Sequence, residues 1–275
     1  MWPPDRPAHP MISQLKSAFL AKLPIEIRYH IYELVFGDKI IAFTPGAGSE
    51  IRHCLCPTKG EKFHWFSWQL DDCTSWCYCI THDRETISSR IPLLLTCRQI
   101  YSEAITLLWS HNPIHIQMMG GPLHFRILSD IQAALAPRDF HAIRSLEISL
   151  IHPNISRWAQ VLDEEWFSGW NGVWGVIKAI KGLVQIQAWL KIDQAGDPGG
   201  NFMTAEQEGI FFAPLMELHH IRDFNVEVTW PENEGSERLL RHAPFRLTRN
   251  ADPILDKPVM IEELVTYTHQ TSDLW

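Results

Sequence analysis

The stretch IRSLEISLI (residues 143–151) alternates apolar and polar side chains, the period of a strand with one face buried. Two further stretches repeat its logic, LVQIQAWLKI (residues 183–192) and FNVEVTW (residues 224–230). Between and before them lie segments with helical spacing: FRILSDIQAALA (125–136), VWGVIKAIKG (173–182) and AEQEGIFFAPLMELHHI (205–221), the last with a break expected at Pro214. Aligning Leu146, Ile186 and Phe224 gives intervals of 40 and 38 residues, so a helix–strand unit recurs at a nearly constant period. Strands alternating with helices predict an α/β fold with a parallel sheet and right-handed crossovers.

The repeats are few and diverged, so the expectation is an irregular, leucine-rich-repeat-like helix–strand layer over 119–275. RLLRHAPFRL (238–247) is read as a fourth, degenerate unit, and VMIEELVTYTHQ (259–270) is left open between helix and strand.

Upstream, LPIEIRYHIYELVFG (23–37) places Leu23, Ile27, Ile31 and Leu34 on one helical face. Pro24 suits the first helical position, Glu26 the positive end of the dipole, and Gly37 a left-handed stop. TCRQIYSEAITLLWSHNP (96–113) predicts a second helix, with a capping box between Thr96 and Gln99 and a stop at Asn112-Pro113. Its apolar face is Cys97, Ile100, Tyr101, Ala104, Leu107 and Leu108. KIIAF and IHIQM read as strands. The division expected is an arm over 1–13 with four prolines, a helical part over 14–118 interrupted by a Cys/Trp-rich insertion at 38–90, and the repeat layer over 119–275.

Composition narrows the partners. Of 275 residues, 45% are hydrophobic and 20% charged, enough to build a core, and the net charge is -8. An acidic chain without a Lys/Arg run repels phosphate backbones, so no nucleic-acid partner is expected. No apolar run approaches a signal-peptide h-region or a membrane span, which predicts a cytoplasmic or nuclear protein that does not engage a membrane.

The two helical segments together resemble a fungal group of F-box-like proteins that carries LPxEIRxxIYELVL followed by LLxTCRQIYxEAxxLLYxxN. The matching residues are Leu23, Pro24, Glu26, Ile27, Arg28, Ile31, Tyr32, Glu33 and Leu34, then Leu94 to Tyr101, Glu103, Ala104, Leu107, Leu108 and Asn112. The resemblance implies F-box-like N-terminal helices. It also implies a docking surface, Leu23, Pro24, Ile27, Ile31 and Leu34, for the Skp-family adaptor of a cullin-RING ubiquitin ligase. Helix-in-groove recognition by i, i+4, i+7 anchors is the physics such docking uses. In a true F-box the helices are contiguous, whereas here the second segment follows about sixty residues after the first.

Two further clusters are candidate sites. Cys54, Cys56, Cys77 and Cys79 supply four thiolates, the number a tetrahedral zinc ion needs, but C-x-C is tighter than the usual spacing of structural zinc pairs. Buried small hydrophobes are the plainer reading of these cysteines, and no cofactor is expected. Trp166, Trp170 and Trp174 recur at i, i+4 and i+8, either as core or as the wall of an apolar ligand pocket. No nucleophile elbow, phosphate loop, dinucleotide fingerprint or zinc-protease motif is present. The expectation is therefore a protein-interaction module. The alternative is a small-molecule binder or a non-redox enzyme of cyclase or isomerase type, built around those tryptophans.

Overall fold

In a computed structural model, residues 17–37, 39–45, 51–56, 91–119, 124–152, 164–192, 204–232, 235, 238 and 240–249 are described. Five strands follow from the alternating stretches and their neighbours: β1 (Ile40–Pro45), β3 (Ile114–Met119), β4 (Ser145–His152), β5 (Gln185–Ile192) and β6 (Asp223–Val228). To these the fold adds β2 (Ile51–Cys56), which pairs antiparallel with β1, and β7 (Arg246–Arg249). The order is β2-β1-β3-β4-β5-β6-β7, one seven-stranded sheet that is parallel from β1 through β7 with β2 on its edge. The protein is thus α/β. The expected division at residue 118/119 falls inside β3, which pairs with β4 in that sheet.

The period read in the sequence is physical. Leu146, Ile186 and Phe224 are direct partners across β4, β5 and β6. The turn that enters each strand is repeated too: the carbonyls of Phe140, Ile180 and Leu218 accept from the N–H of Ile143, Leu183 and Ile221 at 3.4, 3.2 and 3.2 Å. The Arg144 carbonyl then receives the N–H groups of Val184 and Gln185 (2.9 and 3.1 Å), and the Val184 carbonyl receives those of Arg222 and Asp223 (3.1 and 3.0 Å). Each unit therefore sets the register of the next through backbone bonds, and a one-residue slip would turn every apolar strand residue to the wrong face.

The helices are α1 (Ala18–Lys22), α2 (Ile25–Phe36), α3 (Ile91–Leu95), α4 (Arg98–Ser110), α5 (Ile127–Ala134), α6 (Pro137–Phe140), α7 (Glu164–Lys178) and α8 (Ala205–Met216). One apolar cluster joins them to a single side of the sheet: Ile114, Ile116, Leu146, Ile148, Leu150, Ile186, Leu190, Phe224, Val226 and Val228 all point into it. The tryptophans of α7 stand at its centre. Trp166, Trp170 and Trp174 are at most 1% exposed. Trp170 stacks on Phe211 at 4.6 Å between ring centres and donates its Nε1–H to the Phe211 carbonyl at 2.8 Å. Trp166 meets Phe125 edge-on at 5.2 Å. Gly169 permits that approach, because a Cβ there would stand 2.5 Å from the Phe125 ring.

Local details depart from expectation. The helix α8 runs through Pro214 to Met216, since Thr204 and Gln207 close a capping box at its start and Phe211, Phe212 and Leu215 hold it to the core. At α4 the cap is Cys97, whose Sγ accepts from the Ile100 N–H at 3.4 Å, while Thr96 Oγ1 donates to the Leu93 carbonyl. Tyr101 is 44% exposed, and Ile105 and Trp109 take its expected place in the core.

The other side of the sheet is polar. His115 and Gln117 on β3, Glu147 and Ser149 on β4, Gln187 and Trp189 on β5, and Asn225 and Glu227 on β6 alternate with the inward residues. Burial pushes the Glu147 carboxyl up from its ordinary 4.5 to about 7. Below 4.5 the group is neutral whether the chain is folded or not. Between 4.5 and 7 the folded chain holds a proton that the unfolded chain releases, so its contribution to stability falls as pH rises. Glu147→Gln is therefore expected to match wild type in stability at pH 4 and to exceed it at pH 8, by about 3 kcal/mol at most. Urea or thermal unfolding at the two pH values measures this, and an equal offset at both would refute it.

Candidate functional site

The candidate site is the outward side of α2, and its position is set by what the inward side grips. Arg28, Tyr32 and Phe36 recur at i, i+4 and i+8 and are 7, 0 and 1% exposed. Arg28 reaches 75 residues along the chain to Glu103 on α4 in a two-pronged pair, Nε to Oε2 at 3.1 Å and Nη2 to Oε1 at 2.9 Å. The planar guanidinium matches a carboxylate in this way and lysine cannot. Its Nη1 donates to the Leu23 carbonyl at 2.8 Å and more distantly to that of Leu20, so the end of α1 is tied in as well. Glu103 also accepts from the Tyr32 hydroxyl at 3.0 Å and from Gln99 Nε2 at 2.9 Å.

Burial by itself would raise the Glu103 carboxyl. Donation from Arg28, Gln99 and Tyr32 outweighs burial and holds it below the ordinary carboxylate range. Tyr32 is raised, first by burial and then by the Glu103 carboxylate. Asn112 fastens the far end: its Nδ2 donates to the carbonyls of Phe36 (2.6 Å) and Leu108 (2.8 Å), and its Oδ1 accepts from the Lys39 N–H (2.9 Å). One buried amide thus completes the ends of α2 and α4 and starts the run into β1. Gly37 is extended (φ -78°, ψ 173°) rather than left-handed. What its position requires is room, since a Cβ would lie 2.6 Å from the Glu33 carbonyl oxygen.

With that side committed, the apolar side faces out. Ile27 is 49% and Leu34 72% exposed, Pro24 is exposed, and Leu23 and Ile31 are half-buried. At about 100° per residue, Leu34 lies about 160° round the helix from Tyr32. Pro24 is the cap, not the first helical residue. The four apolar positions picked out by spacing are therefore not the core face of this helix. An arginine and a tyrosine fill that role because Glu103 satisfies them. Glu33 at the margin of the exposed side lies 3.7 Å from His30 Nδ1 and 3.5 Å from His111 Nε2.

The remaining candidates are placed differently. The backbones of Cys54 and Cys56 belong to β2, and Cys77 and Cys79 lie outside the described residues. Among the described residues no three His, Cys, Asp or Glu side chains come together as a metal-sized group. Trp166, Trp170 and Trp174 are brought together, but ring against ring within the core. Among the described residues no helix is long and apolar enough to cross a membrane. Spacing did not assign Arg28, Tyr32, Glu103 and Asn112 their joint role, although all four lie inside the two segments that resemble the F-box-like group. The polar series Arg28–Tyr32, in step with Phe36, was the available signal.

Glu103→Gln keeps the shape and removes the charge, leaving Arg28 without its counter-ion. The melting temperature is expected to fall by on the order of 5–10 °C at pH 7. Because the folded carboxyl is depressed, its contribution is present above the ordinary value of 4.5 and is lost as pH falls through the folded value. Wild type and variant should therefore converge in acid, and a difference that persists unchanged at low pH would disprove the assignment.

No curated protein and no solved structure matches the chain at a significant level. One family model does match, that of DUF7730, a domain of unknown function, over residues 12–250. The match takes in α2, the Glu103 clamp and all seven strands, and the chain belongs to the DUF7730 family.

Proposed function

We propose that this protein is a protein-interaction module in which α2 is a docking helix. The observation that carries the reading is the outward placement of Ile27 and Leu34, with Leu23, Pro24 and Ile31 beside them, on a helix whose opposite side is locked by Arg28 and Tyr32. Exposed large aliphatic side chains on a fixed helix are the anchors a hydrophobic groove takes up. The resemblance to F-box-like proteins supplies the partner: a Skp-family adaptor of a cullin-RING ubiquitin ligase, with this chain as substrate receptor. The leucine-rich-repeat-like units from β4 to β6, repeated in register and in their entry turns, would then present the target-binding surface. The aromatic triad of α7 gives no support to the enzyme alternative, because its rings are consumed in core contacts.

The full chain mixed with a purified Skp-family adaptor should co-elute on size exclusion. Leu34→Glu and Ile27→Glu should abolish co-elution, a loss of at least about tenfold in affinity, while leaving the melting temperature within about 2 °C of wild type. Absence of co-elution by the wild-type chain would sink the adaptor reading. Loss of the fold in either variant would show that the outward side is not free of the core.

A further inference from the structure

The turns that enter the parallel strands form a row of their own. Residues 140–145, 180–185, 218–223 and 240–245 lead into β4, β5, β6 and β7. The fourth turn repeats the bond of the other three, with the Ala243 N–H donating to the Leu240 carbonyl at 3.0 Å. Neighbouring turns are packed closely: a Cβ on Gly182 would collide with the His141 carbonyl. Arg144, Val184 and Arg222 fall in one line across the strands, because the Arg144 carbonyl accepts from the Val184 N–H and the Val184 carbonyl from the Arg222 N–H. With strands about 4.8 Å apart, the four turns span about 14 Å.

This edge is basic on a chain whose net charge is -8. The four turns hold Arg144, Lys181, Arg222 and Arg241 against one acid, Asp223, and their remaining ionisable side chains are histidines. All four cations are exposed. Arg144 lays Nη1 on the Gly182 carbonyl at 3.1 Å, which directs it along the row. Among the described residues no carboxylate lies within ion-pair distance of Lys181, Arg222 or Arg241. The acids that precede the turns are already engaged, Asp139 by Arg138 at 3.3 Å and Glu217 by Lys178 at 2.7 Å. Cations are favoured at helix C-termini, but only within the last turn. That accounts for Lys178 at the end of α7. It does not account for Arg144, Lys181 and Arg222, which lie three or more residues past the ends of α6, α7 and α8. Between Arg144 and Arg222 stands Val184, 43% exposed, an apolar point inside a basic line.

We propose that this strand-entry edge docks an acidic peptide segment of a partner protein, with Lys181, Arg222 and Arg241 as its cations and Val184 as its apolar contact. Charge complementarity selects the partner: a row of unpaired cations attracts carboxylates and steers their approach. Val184 favours a peptide over a phosphate chain, because an aliphatic side chain gains from covering it and a phosphate does not. The net charge of -8 also repels a long nucleic acid as a whole. The proposal gives the target-binding surface of the proposed function its chemistry and rests on that reading of the repeated units. It is measured without any adaptor, so the two can fail separately.

The test titrates the full chain into a fluorescein-labelled, capped peptide of aspartates and glutamates around one leucine and follows anisotropy at pH 7. In low salt the dissociation constant should be on the order of 100 μM or tighter, and binding should weaken as sodium chloride is raised. The same peptide with asparagine and glutamine in place of its acids should not bind, and replacing its leucine by serine should weaken binding at least about threefold. The triple variant K181Q/R222Q/R241Q should lose at least about tenfold in affinity while its melting temperature stays within about 2 °C of wild type. Peptide binding without adaptor co-elution would overturn the role of α2 alone, and co-elution without peptide binding would overturn this proposal alone. Binding of the uncharged peptide, undiminished binding by the triple variant, or tighter binding of a single-stranded oligonucleotide of equal charge would also overturn it.

Discussion

Glu103 joins two stretches of chain that are 75 residues apart, and the geometry of the N-terminal half follows from what it accepts. A carboxylate taken out of water must be given donors, and here four arrive from three residues: two from Arg28, one from Tyr32 and one from Gln99. Once those bonds are made, α2 has no freedom to roll on α4. Arg28, Tyr32 and Phe36 are turned inward, and Ile27 and Leu34 are turned out. This departs from the usual amphipathic helix, where the apolar stripe picked out by spacing marks the buried face. The Arg28–Glu103 pair fixes this orientation, with both carboxylate oxygens of Glu103 accepting.

The sheet obeys a simpler constraint. Strands added in sequence order place their connecting helices on one side, so the apolar residues of β3 to β6 need point only one way. The aromatic cluster fills that side, with Trp170 against Phe211 and Trp230 against Glu208. Arg249 on β7 reaches the same Glu208, so the last strand is held by an ionic bond as well as by its ladder with β6. The opposite side carries amides, acids and a histidine in place of aliphatic residues, although His115, Gln117, Ser149 and Trp189 are buried there too.

How much of this was legible in the sequence differs by element. Leu146, Ile186 and Phe224 could be aligned from pattern alone because strand alternation and a 40- and 38-residue period are both local or repetitive signals. The strand β2 could not, because HCLC has no clear alternation and gains its structure only by pairing with β1. Pro214 was expected to break α8, yet the helix runs two residues past it, with Phe211, Phe212 and Leu215 buried in the core. The inward face of α2 was not legible for a deeper reason. Hydrophobic spacing measures which side could be buried, whereas Arg28 is buried by a partner 75 residues away, and no local window contains both. The spacing of the α7 tryptophans suits core packing better than a pocket wall but does not decide it; Phe125 and Phe211, which pack on Trp166 and Trp170, come from other elements.

The clamp also separates two kinds of freedom along α2. Arg28, Tyr32 and Phe36 are answerable to Glu103 and the core, and a change at any of them must be matched elsewhere. Ile27 and Leu34 are exposed and lie outside the apolar cluster. Drift at those two positions would cost the fold little. The helix is in that sense a fixed mount with an interchangeable face, on which selection could rewrite the choice of partner one side chain at a time while the scaffold stays as it is.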